Sequence, residues 1–146
     1  MVKLSTRAAL AALALGGAIA ASAPALAETM MYSSALNGAA EVPPNDSKGT
    51  GMAEATYDTA SKKLAWTITY SGLSSPATAA HFHGPADVGA VAPPVVPIKG
   101  DLASPIKGEA TLTDAQAAEV KAGKWYFNIH TAMHKDGELR GQVMVK

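Results

Sequence analysis

The sequence predicts an all-β domain: a Greek-key-like antiparallel β-sandwich or barrel with one short helix before the penultimate strand. Three observations point there. Short runs rich in β-branched and aromatic residues recur between turns marked by Gly and Pro. The run 63–70 alternates Leu64, Trp66, Ile68 and Tyr70 with Ala65, Thr67 and Thr69, giving one buried and one wetter face. The chain has no cysteine, so core packing must hold it together without disulfides.

Residues 1–27 open with Lys3 and Arg7, continue through an apolar run at 8–21 and end in Ala25-Leu26-Ala27. That is the pattern of a secretory signal peptide cleaved after Ala27. The expected product is a single domain, 28–146, periplasmic or secreted, with no membrane attachment once the signal is gone. Without Lys3 and Arg7 the charge balance turns slightly acidic, and no basic stripe marks a nucleic-acid partner.

Strands are expected at 31–36, 51–57, 63–70, 77–83, 95–98, 108–112, 125–131 and 139–145. Between the sixth and seventh, Thr113 and Gln116 make a Thr-x-x-Gln capping box, good helix formers follow, and Gly123 ends the run. A short helix over 113–123 therefore leads into the strand at Trp125. The region 85–100 carries Pro85, Pro93, Pro94 and Pro97 and reads as a long, stiffened surface loop, a candidate surface for a protein partner.

The chain has four histidines. Residues two apart on a strand share a face, so His81 and His83 project together while Phe82 joins the core. By the same rule Trp125, Phe127 and Ile129 face inward, and Tyr126, Asn128 and His130 face outward. A chain that stays extended keeps His134 on that outer face. A three-residue Lys135-Asp136-Gly137 loop, its Gly in the left-handed position, pairs His134 with Glu138, Ala132 with Arg140 and His130 with Gln142. Arg140 then lies diagonally between two histidines. A two-residue Asp136-Gly137 turn would mix polar and apolar residues on both faces and is rejected.

Neutral imidazoles converging from two strands would suit a metal ion, and the candidate ligands are His81, His83, His130 and His134. An all-nitrogen site in an oxidising compartment suits copper, Cu(II), best and zinc next. Asp87 and Glu138 are candidate oxygen ligands or outer partners, and Met133 and Met144 candidate sulfur donors for Cu(I). Arg140 has two readings: a guanidinium tying the hairpin to a carbonyl or to Glu138, or a fixed positive charge that orients a small anion beside the metal. Serine-nucleophile and phosphate-loop chemistry find no support: there is no Gly-x-Ser-x-Gly, and Gly49-Thr50-Gly51 lacks the Lys and helix that a phosphate loop needs.

Several stretches together resemble the CHRD domain, a module that repeats in chordin and occurs singly in exported bacterial proteins. They are Ala-His-Phe-His-Gly-Pro-Ala at 80–86, Leu-Thr-Asp-Ala-Gln at 112–116, Gly-Lys-Trp-Tyr-Phe-Asn-Ile-His-Thr at 123–131 and Gly-Glu-Leu-Arg-Gly-Gln at 137–142. Leu36-Asn37-Gly38 and Glu41-Val42-Pro43-Pro44 fit as well. Phe82 stands where that family usually has a branched aliphatic, and Lys135-Asp136-Gly137 where it has Pro-Gly-Gly. The order His81, His83, His130, Arg140 is also similar, more loosely, to copper/zinc superoxide dismutase, whose bridging histidine and zinc loop have no counterpart at 85–100.

Three functions stay open at this point. The first is an exported protein that binds copper, or zinc, through the histidine cluster in periplasmic metal handling. The second is a superoxide dismutase-like copper redox enzyme. The third is a metal-free extracellular protein-binding module using the 85–100 loop.

Overall fold

The computed structural model describes residues 26–146. All but the last two residues of the expected signal segment, 1–27, lie outside the described residues. Among the described residues nine strands form one sheet: β1 (Thr29–Asn37), β2 (Thr50–Asp58), β3 (Lys63–Ser71), β4 (Ala77–His83), β5 (Pro94–Pro97), β6 (Ile106–Thr111), β7 (Tyr126–Thr131), β8 (Leu139–Gln142) and β9 (Met144–Val145). The expected final strand, 139–145, is thus broken in two at Val143, whose N–H turns to the Trp125 carbonyl. Among the described residues no helix is long and apolar enough to cross a membrane.

The sheet order is β5-β4-β7-β8-β1-β2-β3-β6, with β9 also on β1. All pairings are antiparallel. β8 returns beside β1 at the head of the β1-β2-β3 meander, the Greek-key arrangement. The sheet curls into a nearly closed barrel around its apolar face. Leu36, Leu64, Ile68, Phe82, Ile106, Phe127, Ile129 and Leu139 fill the interior, as the alternation along each strand requires. Phe82 sits at the aromatic centre, 5.3 Å from Trp66 and 4.9 Å from Phe127 between ring centroids.

The helix α1 (Asp114–Lys121) forms as its cap residues dictate, with both halves of the Thr113/Gln116 box in place. It buries Ala117 and Val120 and, through Glu119, accepts the Trp125 indole N–H at 3.0 Å. That bond sets the start of β7.

The hairpin after β7 does not have the expected register. Asn128 pairs with Arg140 and Tyr126 with Gln142, so both turns weighed from the sequence are corrected. The cause is Glu138, which is wholly buried and not paired across from His134. Its carboxylate accepts from Thr131 Oγ1 at 2.6 Å, and from Ser47 Oγ, Ser74 Oγ and Ser74 N, each at 2.7 Å. Thr131 Oγ1 also accepts from the His134 N–H, which ends β7 and turns the chain. Gly137, at φ 135°, is required by this turn; a Cβ there would lie 2.4 Å from Glu41 Oε1.

Burial raises the Glu138 pKa, but the four hydrogen bonds outweigh it and bring the group down to about 2. A depressed carboxylate stabilises the fold above its unfolded pKa and loses that contribution as pH falls through its folded one. Glu138→Gln should therefore cost about 3 kcal/mol at pH 7, with the gap to the parent closing between about pH 4.5 and 2. Urea unfolding at a series of pH values checks this; a gap that stays constant would exclude it.

Candidate metal centre

The outer faces of β4, β7 and β8 carry the polar residues in two rows. One row reads His81, Asn128, Arg140 across the three strands, and the next reads His83, Tyr126, Gln142. His130 stands one step further along β7. This face is not left to water. The first part of the expected 85–100 loop, with Gly84 before it, lies across the face as residues 84–93, and 94–97 form β5 on the edge of β4. Carbonyls of that segment accept from the face: Ala86 O from Gln142, Ala90 O from Arg140 at 2.5 Å, and Ala92 O from His83 Nδ1 and the Tyr126 hydroxyl.

His81, His83 and His130 come together. Each offers one ring nitrogen, and the three nitrogens lie within 4.8 Å of one another. Two of the imidazoles have their tautomer set by the backbone. His83 Nδ1–H donates to Ala92 O at 2.9 Å and His130 Nδ1–H to Lys135 O at 2.8 Å, which leaves Nε2 of each as the lone-pair atom. His81 Nδ1 stands 3.2 Å from His130 Nε2. Two nitrogens bound to one ion at about 2.0–2.1 Å are separated by roughly this distance.

The fit to a metal rests on His83 as well. Its Nε2 is buried and lacks a hydrogen bond of good geometry, with the Asn128 side chain close to the ring; a buried polar atom left so is costly unless something coordinates it. Burial pushes the His81 and His83 imidazoles below the usual histidine value, and His130 nearby adds to the shift. For His83 the Ala92 hydrogen bond offsets part of it. Both rings are therefore neutral where a free imidazole would already be gaining a proton, as metal ligation requires. Nδ1–H bonds to carbonyls are the usual outer support of ligating histidines.

His134 does not join the other three. The turn after Thr131 carries it to a shallow cleft lined also by Glu41, Met133 and Asp136. Asp87 is paired with Lys124 and Glu138 with its hydroxyls, so neither carboxylate stands with the imidazoles. Met133 and Met144 are exposed, Met144 beside Gly123.

Arg140 is buried, and its guanidinium carbon lies 3.5 Å from the Tyr126 ring centroid. Its first reading, a tie to a backbone carbonyl, is met by Ala90 rather than by Glu138. His83 stacks on the same Tyr126 ring at 4.7 Å and 7°. Since β4 and β8 flank β7 on opposite sides, the tyrosine separates the cation from the imidazole.

Sequence reasoning missed three residues of this site. Tyr126 and Asn128 had a visible signal, since alternation placed them on the face of His130. Glu41 had none beyond its place in a motif: it is buried with Oε1 unpartnered, close to Arg140 and Asn128. With Arg140, Val42 and Val88 it lines a cleft of ≈ 390 Å³.

Residues 32–143 match the family model of the CHRD domain, and the chain belongs to that family. No curated protein and no solved structure matches it.

Burial raises the Glu41 carboxyl to about 7, against the opposing pull of Arg140. A raised carboxyl holds its proton more tightly in the folded state, so stability falls as pH climbs from the unfolded to the folded pKa. The loss should be about 3 kcal/mol between about pH 4.5 and 7. Glu41→Gln should abolish it and unfold at higher urea than the parent at pH 8. A parent whose midpoint does not fall across this window would overturn the assignment.

Proposed function

We propose that this chain is an exported CHRD-domain protein that binds copper through His81, His83 and His130 and serves in periplasmic or extracellular metal handling. The observation that carries the reading is the grouping of one ring nitrogen each from His81, His83 and His130 within 4.8 Å of one another, with His83 Nε2 buried and lacking a good hydrogen bond. Copper is preferred over zinc because a cysteine-free, all-nitrogen donor set favours Cu(II) on intrinsic affinity. Export is inferred from the signal-like residues 1–27.

Titration of the protein lacking residues 1–27 with Cu(II), followed by electron paramagnetic resonance, tests the proposal. One ion per chain should bind with a nitrogen-ligand signature. His81→Ala, His83→Ala and His130→Ala should each weaken binding beyond the roughly 10–100-fold expected for an outer partner, while His134→Ala should leave it unchanged. Unaltered stoichiometry and affinity in the three ligand variants would sink it.

A second reading is favoured by the ligand count. Three protein ligands leave a coordination position open, which a redox or hydrolytic metal needs and a purely structural one does not. Bound copper would supply one-electron chemistry, and the chain's own part would be to hold the three ring nitrogens together, with His83 covered by residues 84–93. Superoxide dismutation by the copper-loaded protein that is lost in His83→Ala would support this reading. A copper-loaded protein with no activity would refute it.

A further inference from the structure

The two ends of the sheet do not meet. β5 and β6 face each other across a groove of ≈ 400 Å³ whose lining includes Trp66, Val95, Ile98, Lys99, Lys107 and Thr111. Both banks are sheet edges, and an edge presents unpaired N–H and C=O groups that template another strand.

The ladder shows which groups face the groove. Leu112 N–H donates to Lys62 O at 2.8 Å, in register with the pairs Leu64–Ala110 and Trp66–Gly108. Ile106, Gly108 and Ala110 therefore turn their main-chain groups toward β3. Lys107, Glu109 and Thr111 turn theirs away, into the groove. The opposite bank is blunted. Ile98 N–H donates to Ala80 O at 3.0 Å, which leaves Pro97 in the outward position, and proline offers no N–H. Strand addition is thus open at β6 and discouraged at β5.

The groove also has a chemical preference. Lys99 and Lys107 are exposed, one on each bank, and neither forms an ion pair among the described residues. Glu109 is held by Lys63 at 2.9 Å, so the uncompensated charge is positive. Gly108 lets the Trp66 ring lie against β6, since a Cβ there would come within 2.6 Å of that ring, and the ring forms an apolar part of the lining.

We propose that the free edge of β6 binds an extended acidic segment of a partner protein as an added strand. The main chain of Lys107, Glu109 and Thr111 supplies the hydrogen bonds, and Lys99 and Lys107 read the acidic side chains. Main-chain pairing gives such a contact its affinity and the flanking side chains its selectivity. The site uses no residue of the histidine cluster, so it stands or falls independently of metal binding.

Glu109→Pro removes one outward N–H and no ladder hydrogen bond; it also frees Lys63 from an exposed ion pair, which by charge alone would favour an acidic peptide, so weaker binding reports the lost N–H. A phage-displayed random heptapeptide library is selected on the parent and counter-selected on Glu109→Pro, after circular dichroism and thermal unfolding show that the variant folds. Enrichment of Asp- or Glu-bearing, β-branched peptides is expected. The best one, synthesised, should bind about tenfold more weakly to Glu109→Pro, the equivalent of one hydrogen bond, and more weakly again at raised salt. Lys99→Gln/Lys107→Gln, which leaves the backbone intact, should also weaken it. No enrichment, enrichment of basic peptides, or equal binding to parent and both variants would overturn the proposal. So would self-association of the parent that Glu109→Pro abolishes, which would assign the edge to a second copy.

Discussion

The carboxylate of Glu138 is held inside the protein by three hydroxyls and one main-chain N–H, and the geometry of the outer face follows from it. Burying this charge requires all of those partners at once, so segments far apart in sequence, around Ser47, Ser74 and Thr131, are drawn to one point. The chain must then turn directly after Thr131, which puts the Lys135 carbonyl against His130 Nδ1. It also sets Arg140 across from Asn128. A hairpin free of that anchor could have kept His134 extended and moved Arg140 along the strand.

Much of the fold was legible because local rules and tertiary structure agree. The bounds of β4 match the expected 77–83, the capping box of α1 forms as written, and the alternation through Leu64, Trp66 and Ile68 does divide inside from outside. The hairpin was not legible, since its register depends on a buried carboxylate whose partners lie far away in sequence. A Glu beside a turn reads as a solvated charge until Ser47 and Ser74 are known to surround it. The error in register was an even number of residues, so the polar face kept its membership although individual neighbours changed.

The candidate site was half legible for the same reason. Strand periodicity put His81, His83 and His130 on a common face, and a period-two pattern needs no knowledge of the hairpin. It could not show that residues 84–93 cover that face, because a covered outer face and a solvated one share the same alternation. Burial of Tyr126 and Asn128 therefore came without warning, as did the approach of Glu41 from the end of β1. His134 was misplaced when the strand was extended past Thr131.

The covering segment holds His83, Tyr126, Arg140 and Gln142 through main-chain carbonyls of Ala86, Ala90 and Ala92, and through no side chain of its own in these bonds. Contacts of that kind depend on where the backbone runs and are nearly indifferent to which small residues it carries. The tautomer of His83 and the seat of Arg140 are therefore tied to the length of the stretch between β4 and β5. Exchanging one of these alanines for another small residue leaves the carbonyls in place, whereas inserting or deleting a single residue shifts all of them together.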